Sequence, residues 1–308
     1  AMSNILDALG AHLLETRRRA AGYQRPQAPF ILAGGGPSEA EDAEASVQVI
    51  TLFDESYEAG FLCSASNACY CDRHGYRMCA IVLSRAEMDT LCEGRHYAWA
   101  KVALLRWIFA ADGDAGLVFG DAARVLDQKL GAAVRDKLRD ATWVVWFDAD
   151  LVVINHEHPF THFLSTDKDL VLGEDTAEVD WLNTGLVACR RSSPWARRLW
   201  RRVWDQSDKA FHQDEFWDQS GLITCLEKWG ELQPDVVGGK KRPLNVRRSR
   251  ASIKIDRAGK WFSFQGGPRR KETEHMHVVN SGALQSSDPR FVRFAFHAAC
   301  AKDKLHCC

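Results

Sequence analysis

The chain has 308 residues, 46% hydrophobic and 26% charged, the balance of an ordinary globular protein. Its 40 Lys and Arg against 41 Asp and Glu give a net charge of −1. That balance excludes a protein living mainly on nucleic-acid phosphates and an acidic disordered chain, and no stretch approaches the ~20 apolar residues of a membrane span.

Residues 5–20 suit a short helix ending in Arg17-Arg18-Arg19. Gly34-Gly35-Gly36-Pro37 and the acids after it read as a flexible linker, so residues 1–46 form an accessory segment. No signal peptide is visible. The opening Ala1-Met2-Ser3 reads as an expression remnant, consistent with an anchor removed ahead of it. Val47–Phe53 alternates and is rich in β-formers, which predicts the first strand. Arg77–Leu83 is the second, after His74-Gly75-Tyr76. Ser84 with Glu87 three residues on is a capping box for a helix that Gly94 ends. Residues 97–111 continue as a helix, and Leu126, Leu130, Val134 and Leu138 mark a third.

Trp143–Phe147 is a short apolar run, typical of a central parallel strand buried on both faces. Asp169–Gly173 is another strand. Ser193-Pro194 opens a helix with Trp195, Leu199, Val203 and Trp204 on one face, and a further helix spans about 214–229. Beyond it, short strands at Ile253–Ile255, Trp261–Phe264 and His275–Val279 lie among basic loops, and a last helix follows Asp288-Pro289. Strands alternating with helices predict an α/β domain with a largely parallel sheet, here one domain over 47–308. The ten Cys lack a CxxC pair, which excludes a zinc ribbon. The crowding of Cys63, Cys69, Cys71, Cys79 and Cys92 suits a few disulfides, with buried thiols as the alternative.

Five segments carry chemistry. Asp148 and Asp150 end the Trp143–Phe147 strand with spacing i, i+2, which on an extended chain puts both carboxylates on one side. Carboxylates at the C-terminal end of such a strand sit where open α/β sheets bind ligands. Together they suit Mg²⁺ or Mn²⁺ bridging to a diphosphate; a plain acidic turn is the alternative. Leu182-Asn183-Thr184-Gly185 joins an amide that can read sugar hydroxyls to a glycine that admits close backbone approach. Asp218 and Gln219 fall in the first turn of a helix, where negative charge is favoured. Lys101 interrupts an apolar helix face, either snorkelling or contacting phosphate. His275 and His277 share one face of a strand.

Taken in order, these segments resemble the retaining glycosyltransferases of the yeast galactosyl/mannosyltransferase and plant xyloglucan xylosyltransferase group, glycosyltransferase family 34. Cys71-Asp72-Arg73-His74-Gly75-Tyr76, Arg95 to Lys101, Trp143 to Asp150, Asp169 to Leu172, Leu182 to Gly185 and Trp217 to Leu222 are each similar to a family motif. The match covers about residues 47–230. The resemblance implies a GT-A fold: a Rossmann-like, largely parallel sheet with flanking helices and a small C-terminal β/loop region. It implies a nucleotide-sugar donor, with a UDP-sugar favoured and galactose or xylose as the sugar, and a hydroxyl of a glycan as acceptor. Mn²⁺, or Mg²⁺, would be held by Asp148, Asp150 and His277, with His275 and His297 as alternatives to the last. Donor binding would fall to Thr51, Lys101, Asp148, Asp175, Asn183 and Gly185, and Asp218 and Gln219 would be catalytic. The resemblance favours a Golgi lumen, with a soluble cytoplasmic protein as the alternative. A catalytically silent sugar-nucleotide- or glycan-binding module on the same fold is the alternative function.

Charge is segregated. Residues 237–271 hold twelve Lys and Arg against one acid, Asp256. Either this is a solvated basic loop or it draws a diphosphate or an anionic acceptor. Trp143, Trp146, Trp195 and Trp204 are expected in the core, and Trp99, Trp181 and Trp217 beside the site, where a sugar ring could stack.

Overall fold

The sheet is built on β1 (Val47–Asp54), whose residues alternate between two cores. Around it a computed structural model describes residues 46–110, 115–153, 156–157, 159–164, 168–174, 182–213 and 216–229, with five short strands beyond. β2 (Arg77–Leu83) and β3 (Trp143–Phe147) flank β1 in parallel. β6 (Leu182–Arg190) runs antiparallel between β3 and β5 (Leu170–Glu174), and β9 (Ile253–Asp256) closes the edge parallel to β5. The order is β2-β1-β3-β6-β5-β9. The fold is therefore α/β with a mostly parallel sheet, as the alternation of elements predicts, and β6 is the one strand of the six that reverses.

All of β3 is buried, as its apolar run requires. Val144 and Trp146 face one core; Trp143, Val145 and Phe147 face the other. The first core is covered by α2 (Arg85–Cys92), α3 (Ala100–Phe109), α4 (Ala115–Arg139), α6 (Pro194–Gln206) and α7 (Trp217–Lys228). The second is covered by α1 (Glu58–Arg73) and the one-turn α5 (Thr161–Leu164).

Local chemistry sets the helix ends. The capping box forms as read: the Glu87 N–H donates to Ser84 Oγ at 3.4 Å, and the Ser84 N–H donates to Glu87 Oε2 at 2.7 Å. At α6, Ser193 Oγ accepts from the Ala196 N–H at 3.0 Å, and Pro194 takes the first turn. The helix expected over 97–111 starts as a 3₁₀ turn, Tyr97–Trp99, before α3.

α1 was not expected. Apart from Tyr70, its buried residues are small or polar, among them Gly60, Ser64, Ser66 and Asn67, so no apolar stripe announces it. Gly60 lets it approach β1: a Cβ there would lie 2.6 Å from the Phe53 ring. The helix expected after Asp288-Pro289 does not run through residues 295–297; residues 289–294 lie outside the described residues. Residues 295–297 form β11 (Ala295–His297), a strand between β10 (Phe262–Phe264) and β4 (Leu151–Val153), because β4 and β10 present ladder partners there. β7 (Val236–Val237) and β8 (Lys240–Lys241) make a separate hairpin. The strand expected at His275–Val279, the helix at 5–20 and most of the basic run lie outside the described residues.

None of the seven described cysteines is in a disulfide, and six are buried. The buried-thiol reading therefore holds for them. Burial pushes the thiols of Cys79 and Cys92 up to about 12 and that of Cys225 to about 11. Cys300, Cys307 and Cys308 lie outside the described residues. Among the described residues no helix is long and apolar enough to cross a membrane.

Candidate active site

The C-terminal ends of β1, β3 and β5 open on one edge of the sheet, and β6, running the other way, starts there. This edge is where open α/β sheets take ligands. Lys101, Asp148, Thr184, Asp218 and Gln219 meet at it from α3, the turn after β3, the start of β6 and the start of α7.

Lys101 is their centre. It does not snorkel: the residue is 3% exposed. Its Nζ donates to Asp218 Oδ2 at 2.9 Å and to Thr184 Oγ1 at 3.1 Å, and lies 3.0 Å from Asp148 Oδ1. The Thr184 hydroxyl donates in turn to Asp218 Oδ2 at 2.9 Å. Burial works against the ammonium, but Asp148 and Asp218 together outweigh it and hold Lys101 above its ordinary value. Burial pushes the Asp218 carboxyl up, Lys101 pulls it back, and Asp148 adds to the push. Gln219 Oε1 accepts from the Thr184 N–H at 3.3 Å, which ties α7 to β6.

The two acids after β3 are held by different partners. β3 stops at Phe147, and the Leu151 N–H donates to the Asp148 carbonyl at 2.9 Å, closing a turn. The i, i+2 rule for extended chain therefore lapses at Asp148. Asp148 turns to the first core, where Lys101 and the Trp146 indole N–H meet its Oδ1. Asp150 accepts from the Tyr57 hydroxyl at 3.2 Å on Oδ2. Tyr57 precedes α1, which covers the second core.

The other expected residues divide. Asn183 is buried and its Oδ1 accepts from the Gly185 N–H at 2.7 Å; the Gly185 carbonyl accepts from the Asp148 N–H at 2.8 Å. Both thus shape the turn that carries Asp148. Thr51 is not brought to the cluster. It is 2% exposed inside β1, and the strand's period of two turns it away from Ile50 and Leu52, which face the Lys101 side. Its Oγ1 has no hydrogen-bond partner among the described residues. Asp175, His275 and His277 lie outside the described residues. His297 is in β11, in register opposite Leu151, the residue after Asp150.

Sequence reasoning passed over Tyr57, and read Trp146 only as core. Trp99 is not a stacking surface: it is fully buried, and its Nε1–H donates to the Phe211 carbonyl at 3.0 Å. Trp217 does stack, on His96, with ring centroids 3.9 Å apart and planes 5° apart. Burial lowers the His96 imidazole below its ordinary value, against the pull of Asp218. Just before Asp218 the backbone is strained: Phe216 and Trp217 have φ of 68° and 29°. Bulky residues rarely accept such angles, and strain of this kind clusters at functional sites.

The turn and α7 thus carry three carboxylates, Asp148, Asp150 and Asp218, and α3 brings one buried ammonium, Lys101. Hard oxygens in that excess suit a divalent cation. Among the described residues, no three His, Cys, Asp or Glu side chains are grouped closely enough to hold an ion by themselves.

No protein-family model matches the chain, and no curated protein does. Among solved structures, it is similar to a glycosyltransferase involved in glycosylation of the major capsid of PBCV-1. That match has 11% identity and a TM-score of 0.48, over 84% of this chain and 96% of that one. It is also similar to the galactosyltransferase LgtC in complex with donor and acceptor sugar analogs, at 10% identity and a TM-score of 0.38, over 81% and 86%. Both likenesses are too distant to transfer chemistry; the class stated here, an α/β protein with a polar cluster at the sheet's C-terminal edge, rests on the strands and side chains themselves.

Proposed function

We propose that the chain is a metal-dependent, retaining glycosyltransferase of the GT-A type, related to family 34, that moves galactose or xylose from a UDP-linked donor to a hydroxyl of a glycan. The observation that carries this reading is the convergence of Lys101, Asp148, Thr184, Asp218 and Gln219 on the ligand-binding edge of the sheet. Each comes from a motif with a counterpart, in the same order, in that family. The Golgi lumen is the compartment this relationship favours.

In this reading Asp148 and Asp150 would hold Mn²⁺ or Mg²⁺, with His277, or else His275 or His297, as a nitrogen ligand. The ion supplies charge neutralisation to the departing diphosphate.

The chain's own residues do the rest. Lys101 is a clamp rather than a phosphate contact: buried among Asp148, Thr184 and Asp218, it fixes the metal-binding turn against α7. Asp218 faces the positive charge that grows on the sugar ring as the bond to phosphate breaks, and a fixed carboxylate there stabilises it. Asp218 Oδ2 already accepts from Lys101 and Thr184, which makes it a poor nucleophile. The acceptor hydroxyl therefore attacks from the face that the diphosphate leaves, and gives its proton to the leaving phosphate oxygen. Asn183 and Gly185 shape the turn beside the donor, and Asp175 is assigned to donor binding by the family resemblance alone.

The test is incubation with UDP-galactose, UDP-xylose and GDP-mannose and Mn²⁺, following nucleotide release and product anomer by NMR. A UDP-sugar is expected to be consumed with retention. Release of no nucleotide from any donor, or inversion, overturns the reading. An Asp218→Ala protein with unchanged transfer rate removes Asp218 from it.

A further inference from the structure

A second concave site lies away from the sheet's edge. It is a groove of about 370 Å³ lined by Trp195, Arg198, Arg202, Lys228 and Trp229. Arg198 and Arg202 are one turn apart on α6, and Lys228 and Trp229 end α7, which packs beside it. Lys228 is ten residues beyond Asp218, about 15 Å along the helix, so the groove is separate from the cluster around Lys101.

Its lining is one-sided. Three cations line it and no carboxylate does, and no ion pair among the described residues engages Arg198, Arg202 or Lys228. The nearby acid Asp205 is held instead by Arg106 at 3.4 Å and Arg201 at 3.6 Å. The two indoles meet edge to face, 6.2 Å apart at 72°. The Arg202 guanidinium sits 4.5 Å over the Trp229 ring, which orients its donor fork. Trp195, expected in the core, is only half-buried at its margin.

We propose that this groove binds an acidic saccharide, a sugar ring bearing a carboxylate, sulfate or phosphate. Indole surface suits the apolar C–H face of a pyranose, and the arginine forks suit a planar or tetrahedral anion. The cavity is of the size that takes small ligands. Charge complementarity fixes the sign of the ligand, because three unpaired like charges side by side are stabilised by an anion.

The test is calorimetric titration of the full-length chain with the trisaccharide of galacturonic acid. Neutral maltotriose, inorganic phosphate and phosphatidylserine vesicles are titrated in parallel. The acidic trisaccharide is expected to bind about tenfold or more tightly than maltotriose, which lacks the charge, and than phosphate, which lacks the ring. Arg198→Ala with Arg202→Ala, at exposed positions, is expected to weaken it at least about tenfold with an unchanged Tm. Lys228→Ala on the other wall shifts the same titration in the same direction. Equal affinity in wild-type and variant proteins overturns the proposal. So does phosphate binding as tightly as the trisaccharide, or binding to vesicles alone. Asp218→Asn is expected to bind the trisaccharide as the wild type does, so the groove stands or falls apart from the transferase reading.

Discussion

On one face of the sheet Asn67 reaches from α1 to the backbone of β4; on the other, Lys101 reaches from α3 to the carboxylates of Asp148 and Asp218. Both side chains are buried, and both brace the chain just around the turn after β3. Asn67 Nδ2 donates to the Leu151 carbonyl at 2.8 Å, and its Oδ1 accepts from the Val153 N–H at 2.8 Å. That pair of bonds is neutral and local, a side chain standing in for a missing ladder partner. Lys101 is held by groups from three further segments, and its charge answers two acids at once. Burying charge this way is a weak route to stability, since desolvation offsets most of the attraction. The difference teaches how to separate a brace from a functional cluster: loss of the first should affect unfolding alone, loss of the second turnover as well.

Lys101→Met is the strongest way to break that comparison. Transfer activity with Mn²⁺ is expected to fall about 10²–10³-fold. Stability is expected to fall too, by about 3–5 kcal/mol, because Asp218 is left as an uncompensated buried charge. Adding Asp218→Asn to it removes that charge. Urea unfolding should then recover much of the lost stability, while activity stays lost. If the double variant regains activity, the cluster is packing and nothing more.

Asn67→Ala sharpens the other arm. It orphans two buried backbone groups, with an expected loss of about 2–4 kcal/mol in urea unfolding and little change in kcat of the folded fraction. A kcat loss as deep as that of Lys101→Met would erase the distinction.

Gly221→Ala probes what seats α7. A Cβ there would lie 2.6 Å from Trp99 Cη2, a fully buried ring, so about 1–3 kcal/mol of overpacking is expected.

The smallest effect is at the α2 cap. Burial works against the Glu87 charge, but hydrogen bonds from Ser84 and the charge of Lys129, 3.1 Å away, bring its carboxyl below its ordinary value. A lowered carboxyl stabilises the fold above its unfolded value, and that contribution is lost as pH falls through the folded one. The stability gap between wild type and Glu87→Gln should therefore be present at neutral pH and close in acid. A gap that widens in acid contradicts the assignment.

Much of this is legible in the residues. Trp143–Phe147 names itself as a central strand because a continuous apolar run fits only a sheet covered on both faces. Ser84 and Glu87, and Ser193 with Pro194, mark helix starts through backbone donors that need partners. α1 is hidden because it packs through Gly60, Ser64 and Asn67, and small or polar contacts leave no periodic signal. The site is half legible. Lys101, Asp148, Asp218 and Gln219 stand in short motifs. Their meeting depends on β6 reversing direction, which no local pattern encodes, and so the part played by Thr184 emerges only from the fold. Likewise the different partners of Asp148 and Asp150 follow from the turn that ends β3, which the residue spacing alone does not announce.

The central claim is that this edge of the sheet holds a nucleotide diphosphate through a divalent ion on Asp148 and Asp150. Calorimetric titration of UDP into wild-type protein and Asp150→Asn, each with and without Mn²⁺, tests it most directly. The account predicts binding that needs Mn²⁺ and is lost in Asp150→Asn while Tm stays near wild type; UDP binding that ignores both the ion and the substitution would contradict it.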